Sequence, residues 1–163
     1  MTITIGVDPG ITGAIAVLQD GKHLLMLIDM PTVSSGKSVK VSRSVDSVGL
    51  SKAVGDLLAA YPLEYVSAIV EKTSAMPGQG VSSTYSMGHS RGVVEGVFLT
   101  KGIPTQLVAP IVWKKKMGFN SDKEFVRGEI SKLFPTASLH RKKDHDRAEA
   151  IGLALYLHQE KFK

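Results

Sequence analysis

Thr2-Ile3-Thr4-Ile5-Gly6-Val7-Asp8-Pro9-Gly10 opens the chain with an apolar run that ends on an acid and a turn. β-Branched residues dominate the run, so residues 2–8 read as a strand and Asp8-Pro9-Gly10 as the turn that stops it. Residues 13–18 and 24–29 read as two more strands. Short apolar runs joined by tight turns predict that these three are consecutive and antiparallel. Further along, residues 65–70 read as a buried strand, its run Val66-Ser67-Ala68-Ile69-Val70-Glu71 again ending on an acid, and residues 103–108 form a fifth.

The intervals carry the helices. Residues 32–45 are expected to be a polar loop bearing Lys37, Lys40 and Arg43. Asp46 then caps a helix whose apolar stripe is Val48, Leu50, Val54, Leu57 and Leu58, ended by Pro62. Met76-Pro77-Gly78-Gln79-Gly80 excludes regular structure. A helix over residues 83–100 follows, with Gly88, Gly92 and Gly96 at four-residue spacing. Helices are expected over 111–117, over 122–134 with Ser121 as cap, and over 144–158, the last apolar around much of its girth and therefore buried. Three strands, a helix, a strand, a helix, a strand and then helices is the order of an RNase H-like fold. The fold class is thus α/β, a five-stranded mixed sheet flanked by helices, in a single domain over residues 1–163.

Composition narrows the chemistry. A chain of 163 residues with 43% hydrophobic residues can bury a core of its own. Without cysteine there is neither a disulfide framework nor a thiolate metal site. No run approaches the ~20 apolar residues that cross a bilayer, and no signal peptide is visible, so the chain reads as soluble and cytoplasmic. Residues 113–147 hold ten Lys or Arg against five Asp or Glu, whereas the remainder holds ten of each. A basic segment beside acids suits a protein that draws phosphates to a cation; a solvated lysine-rich face is the alternative.

Four acids stand at positions that can converge. Asp8 and Glu71 end neighbouring central strands. Asp146 and Glu149 sit three apart on the final helix and share a face. Carboxylates brought that close repel unless neutralised, so convergence implies a divalent cation in a cage of hard oxygens. Asp144 competes with Asp146 for the third place, being otherwise a helix-start acid favoured by the dipole. His145 reads as a surface or supporting residue, and Trp113 as core.

Together these residues resemble the RuvC-like Holliday junction resolvases over nearly the whole chain. The marks are Ile5-Gly6-Val7-Asp8-Pro9-Gly10, the strand-end Glu71, and Asp146-x-x-Glu149-Ala150-Ile151-x-Leu153-Ala154. The Met76 loop and Lys143-Asp144-His145-x-Arg147-Ala148-Glu149-Ala150 look closer to phage and prophage members. The resemblance implies a crossover junction endodeoxyribonuclease of a bacterial or phage-infected cell. Asp8, Glu71, Asp146 and Glu149 would be its catalytic metal ligands, holding two Mg²⁺ ions, with Mn²⁺ as substitute.

Two cations about 3.5–4 Å apart could activate water and neutralise the leaving oxygen, giving 5′-phosphate and 3′-hydroxyl ends. Asp8 would bridge them. The implied partner is branched DNA, chiefly four-way junctions, cut by paired nicks in a homodimer. Lys37, Lys40, Arg43, His89, Arg91, Lys114, Lys115, Lys116 and Lys123 are the candidate phosphate contacts, Lys123 foremost because it resembles a family lysine near the cut strand.

Two departures stand out. Glu149 replaces an Asp of the cellular enzyme. Ser74 stands where that enzyme has an aromatic, so any strand-separating wedge would come from elsewhere, such as the Met76 loop. The glycine-spaced helix, with Val93, Val97 and Phe98 alongside, is the candidate dimer interface; packing against its own sheet is the alternative. A ribonuclease of the same fold acting on structured RNA, and an actin-type nucleotide-binding protein, are the rival readings.

Overall fold

The computed structural model describes residues 1–35 and 42–162. Lys37 and Lys40, expected to contact phosphate, lie outside the described residues. Strands β1 (Ile3–Asp8), β2 (Ala14–Gln19) and β3 (His23–Asp29) form an antiparallel meander. A short ribbon, β4 (Thr32–Ser35) and β5 (Ser42–Val45), precedes α1 (Ser47–Ala60). Then come β6 (Val66–Glu71), α2 (Val81–Thr100), β7 (Thr105–Val108), α3 (Pro110–Lys116), α4 (Lys123–Leu133) and α5 (His145–Lys161). The main sheet runs β3-β2-β1-β6-β7, with β6 parallel to both β1 and β7. This is the expected five-stranded mixed sheet.

Alternation along the central strands decides which residues meet which helices. Ile3, Ile5 and Val7 of β1 join Val66, Ala68 and Val70 of β6 in a core covered by α1 and α2. The opposite face carries Ile69 of β6, packed with residues of α3, α4 and α5. Asp8 and Glu71 keep the phase of that second face, so both acids end their strands on the side of α5. Helix α5 is buried along most of its length because the sheet covers one flank and α4 another, which explains its lack of a polar face.

Several expectations are corrected. Residues 32–45 are not all loop, since β4 and β5 pair from Thr32↔Val45 to Ser35↔Ser42, and the exposed Arg43 donates to Thr32 Oγ1 at 2.6 Å. Asp46 does cap α1, but Val48 is 78% exposed, because it lies two residues from Leu50 and so on the opposite side of the helix. The cap of α4 is Asp122 rather than Ser121: its carboxylate accepts from Glu124 N at 2.8 Å and Phe125 N at 3.2 Å. On α2, ideal Cβ atoms built at Gly88, Gly92 and Gly96 meet nothing within 4 Å, so these glycines do not pack on their own sheet. Phe98 is fully buried and belongs to the core, not to an exposed face. Trp113 is core, as read. No helix among the described residues is long and apolar enough to cross a membrane.

Candidate metal centre

The ends of β1 and β6 and the first turns of α5 bring the acids together. Oxygens of Asp8, Asp146 and Glu149 lie within 4.8 Å of one another. Glu71 adjoins them and feels the charges of Glu149 and Asp8, though it stands outside that closest trio. The two alternatives for the third acid differ in local geometry. Asp144 ends a 3₁₀ turn just before α5 and folds back on Arg141, accepting from its backbone N at 2.8 Å and its Nη2 at 2.7 Å. Asp146 is the acid that reaches the trio.

Helix α5 can come this close because Gly6 of β1 has no side chain. A Cβ there would meet the Ala150 carbonyl oxygen at 2.1 Å and Ala154 N at 2.4 Å. Asp8 is also a turn residue, accepting from Gly10 N at 3.2 Å, so the turn holds the carboxylate that the trio uses.

Basic groups edge the acids. Lys114 Nζ lies 2.5 Å from Glu149 Oε1, and Lys123 Nζ lies 3.2 Å from Asp146 Oδ1. His145 Nε2 is 3.0 Å from the same Asp146 oxygen, a supporting contact rather than a fifth acid's place. At Lys123 partial burial, which would depress the ammonium, is outweighed by Glu149, Asp146 and Asp8, so its charge is reinforced.

The carboxylates remain under-neutralised even so. Burial, then the charge of Asp146, pushes the Asp8 carboxyl up to about 6. Burial, then Glu149 and Asp8, pushes Glu71 up to about 7. By contrast the Arg141 hydrogen bonds hold Asp144 down at about 2.

The donor set fits a hard divalent cation. Every candidate ligand is a carboxylate oxygen, and Glu71 Oε2 is buried without a hydrogen-bond partner. The Trp113 indole N–H is near enough to favour ionised Glu71, yet neither Nε1 nor Oε2 completes a hydrogen bond.

The other expected phosphate contacts scatter. Lys115 is exposed, and Lys116 pairs with Glu160 at 3.4 Å. Arg91 holds the loop after Glu71 through Thr73 O at 2.9 Å and pairs with Glu95 at 2.8 Å. The exposed His89 stacks on Tyr85 with ring centroids 6.1 Å apart. Arg43 does approach the centre, lining a cleft of about 380 Å³ with Thr12, Arg141, Lys143, His145 and Asp146.

Sequence reasoning missed Arg141 and Arg147. Arg147 grips Asp29 at the end of β3 through Nε at 2.6 Å and Nη2 at 2.8 Å. The available signal was Asp29 itself, an acid ending a strand on the edge where α5 begins.

No family model matches the chain, and no curated protein matches it. Solved structures do. RuvC of T. thermophilus in complex with Holliday junction substrate superposes with a TM-score of 0.66 at 18% identity, covering 96% of this chain and 92% of that one. A second T. thermophilus RuvC structure matches with a TM-score of 0.59 at 17% identity, over 95% of this chain and 92% of the other. The described sheet and its flanking helices therefore match the RNase H-like fold of RuvC.

Proposed function

We propose that the protein is a divalent-metal-dependent endodeoxyribonuclease that resolves four-way DNA junctions by paired nicks. The observation that supports this reading is the convergence of Asp8, Asp146 and Glu149 within 4.8 Å, beside Glu71, on a fold shared with RuvC in complex with Holliday junction substrate. Asp8, Glu71, Asp146 and Glu149 would hold Mg²⁺ or Mn²⁺, with two ions per centre. Bound cations supply water activation and charge neutralisation at phosphate.

The chain's own residues do the rest. The Asp8 turn and the Gly6 contact hold the carboxylates in place. Lys123, with its side chain 52% exposed, stands at the rim where it can pass from Asp146 to an incoming phosphate. Arg43 and Lys143 line the adjoining cleft and offer positive charge to the strand on either side of the cut. The products would be 5′-phosphate and 3′-hydroxyl ends.

Two opposed strands need two centres, which a two-fold dimer supplies. The bare glycine face of α2 is the proposed contact, because its Cβ positions are open and exposed Val81 and Tyr85 lie on the same helix.

Labelled four-way junction, linear duplex and structured RNA, each incubated with Mg²⁺, Mn²⁺ or EDTA, test the reading. Symmetric nicks confined to the junction and abolished by EDTA are expected. Preferential cutting of the RNA, or cutting that survives EDTA, would replace it.

A further inference from the structure

Among the described residues two lysines touch the acid cluster, and they are not equivalent. The Lys123 side chain is half exposed, whereas that of Lys114 is only 13% exposed with its Nζ 2.5 Å from Glu149 Oε1. The position of Lys114 follows from packing. Its neighbour Trp113 is fully buried and seats its ring on Gly152 of α5, where a Cβ would meet Cζ3 at 2.9 Å. Gly152 lies about one helical turn beyond Glu149, so the same contact that docks α3 on α5 sets the next residue's ammonium over that carboxylate. The ammonium also stands 5.5 Å from the Trp113 ring centroid, on the ring side of the cluster. A largely enclosed lysine paired to one of four neighbouring acids is a built feature of the cluster.

We propose that Lys114 is a tethered counter-ion of the metal centre: its ammonium holds Glu149 in place and competes with divalent cations for that carboxylate. Lys114 thereby sets the cation concentration at which the centre fills. A single positive charge offsets part of the repulsion among Asp8, Glu71, Asp146 and Glu149 and keeps them assembled. The same charge opposes an incoming dication a few ångströms away. Lys114 is thus a positioning residue acting through Glu149, while Lys123 at the rim is free to exchange toward substrate.

The inference rests on reading the cluster as a divalent-cation site, and the test separates the two. Mn²⁺ binding to DNA-free protein is measured by electron paramagnetic resonance for wild type and Lys114→Met, an apolar side chain of similar length. Melting temperatures are recorded in EDTA and in saturating Mn²⁺. Lys114→Met is expected to bind Mn²⁺ about tenfold or more tighter, the scale of one unit charge removed near a dication. It should melt below wild type in EDTA and recover in Mn²⁺.

Unchanged or weaker Mn²⁺ binding by the variant overturns the counter-ion role while leaving the metal site intact. Wild type that binds no Mn²⁺ overturns the metal reading and this inference with it. If Lys114→Met does not fold, wild type labelled with ¹⁵N at lysine Nζ decides the matter. Mg²⁺ should shift the resonance of an exchange-protected lysine, and the absence of any such shift overturns the proposal.

Discussion

Gly6 and Ala150 touch backbone to backbone: a Cβ on Gly6 would stand 2.1 Å from the Ala150 carbonyl oxygen. The crossing of β1 and α5 is therefore set by the absence of one methyl group. Gly6→Ala must push α5 off the sheet, carrying Asp146 and Glu149 away from Asp8. Backbone cannot swing aside as a side chain can, so a cost of at least about 3 kcal/mol is expected. Chemical denaturation measures it; a change below 1 kcal/mol, roughly the ordinary noise of a surface substitution, would show that α5 sits elsewhere.

Asp8→Asn and Glu71→Gln keep side-chain shape and remove charge. Each is expected to lower junction cleavage by about a thousandfold, the scale of losing one preorganised electrostatic group of a reacting centre, here a charge that would hold the cation. Junction binding in a gel-shift assay should stay near wild type, because neither residue is a cation. Cutting at near wild-type rate by either variant would dismantle the proposed centre.

The raised carboxyls give a pH signature. Asp8 at about 6 and Glu71 at about 7 lie above their ordinary values of 3.8 and 4.5, so the folded chain holds these protons more tightly than the unfolded chain. Their stabilising contribution is full below pH 3.8 and is lost as pH rises through 6 to 7. In EDTA, the double variant Asp8→Asn with Glu71→Gln should gain in melting temperature over wild type between pH 5 and pH 8. Saturating Mg²⁺ at pH 8 should reverse the order. A difference that ignores pH would mean that the two groups titrate normally.

Asp144 and Asp146 are expected to divide two roles. Asp144→Asn loses charge-assisted bonds to Arg141 and is expected to lower the melting temperature by roughly 5 °C while cleavage persists. Asp146→Asn should do the opposite, weakening Mn²⁺ binding and cleavage with little thermal cost in EDTA. Loss of cleavage from Asp144→Asn in a well-folded protein would make Asp144 the third acid.

The open glycines of α2 separate folding from assembly. Gly92→Ala meets no atom within 4 Å and replaces a poor helix former, so it should stabilise the chain by about 1 kcal/mol. Gly92→Trp should fold equally well yet block close approach of a second helix. Sedimentation at micromolar concentration should then fall from about twice the 17.5 kDa chain mass to a single chain. A Gly92→Trp dimer would move the interface off α2.

Strand alternation made much of this legible. Ile3, Ile5 and Val7 on one phase leave Asp8 on the other, and Val66, Ala68 and Val70 do the same for Glu71, so both acids could be placed on one face of the sheet. What escaped lacked a burial signal. The ribbon of β4 and β5 is mostly polar and looks like loop by composition. Three consecutive lysines are chemically identical, and only the seating of Trp113 on Gly152 singles out Lys114 for Glu149. Asp144 and Asp146 differ in role because the 3₁₀ turn ends between them, and a boundary that fine is not written in hydrophobic periodicity. Val48 was misplaced for a related reason, a two-residue error of helical phase.

The trio of Asp8, Asp146 and Glu149 joins the first strand to the last helix, with more than a hundred residues between them. A ribosome making this chain has long since released β1 when α5 is still unmade. Until residue 149 emerges, that face of the sheet lacks α5, and Asp8 has no companions from it. A fragment interrupted before α5 would thus carry the lysines of α3 and α4 but no assembled trio of acids. Under the proposed function, this ordering makes synthesis itself a safeguard: the capacity to cut DNA arrives only with α5, together with the core that this helix completes on one face of the sheet.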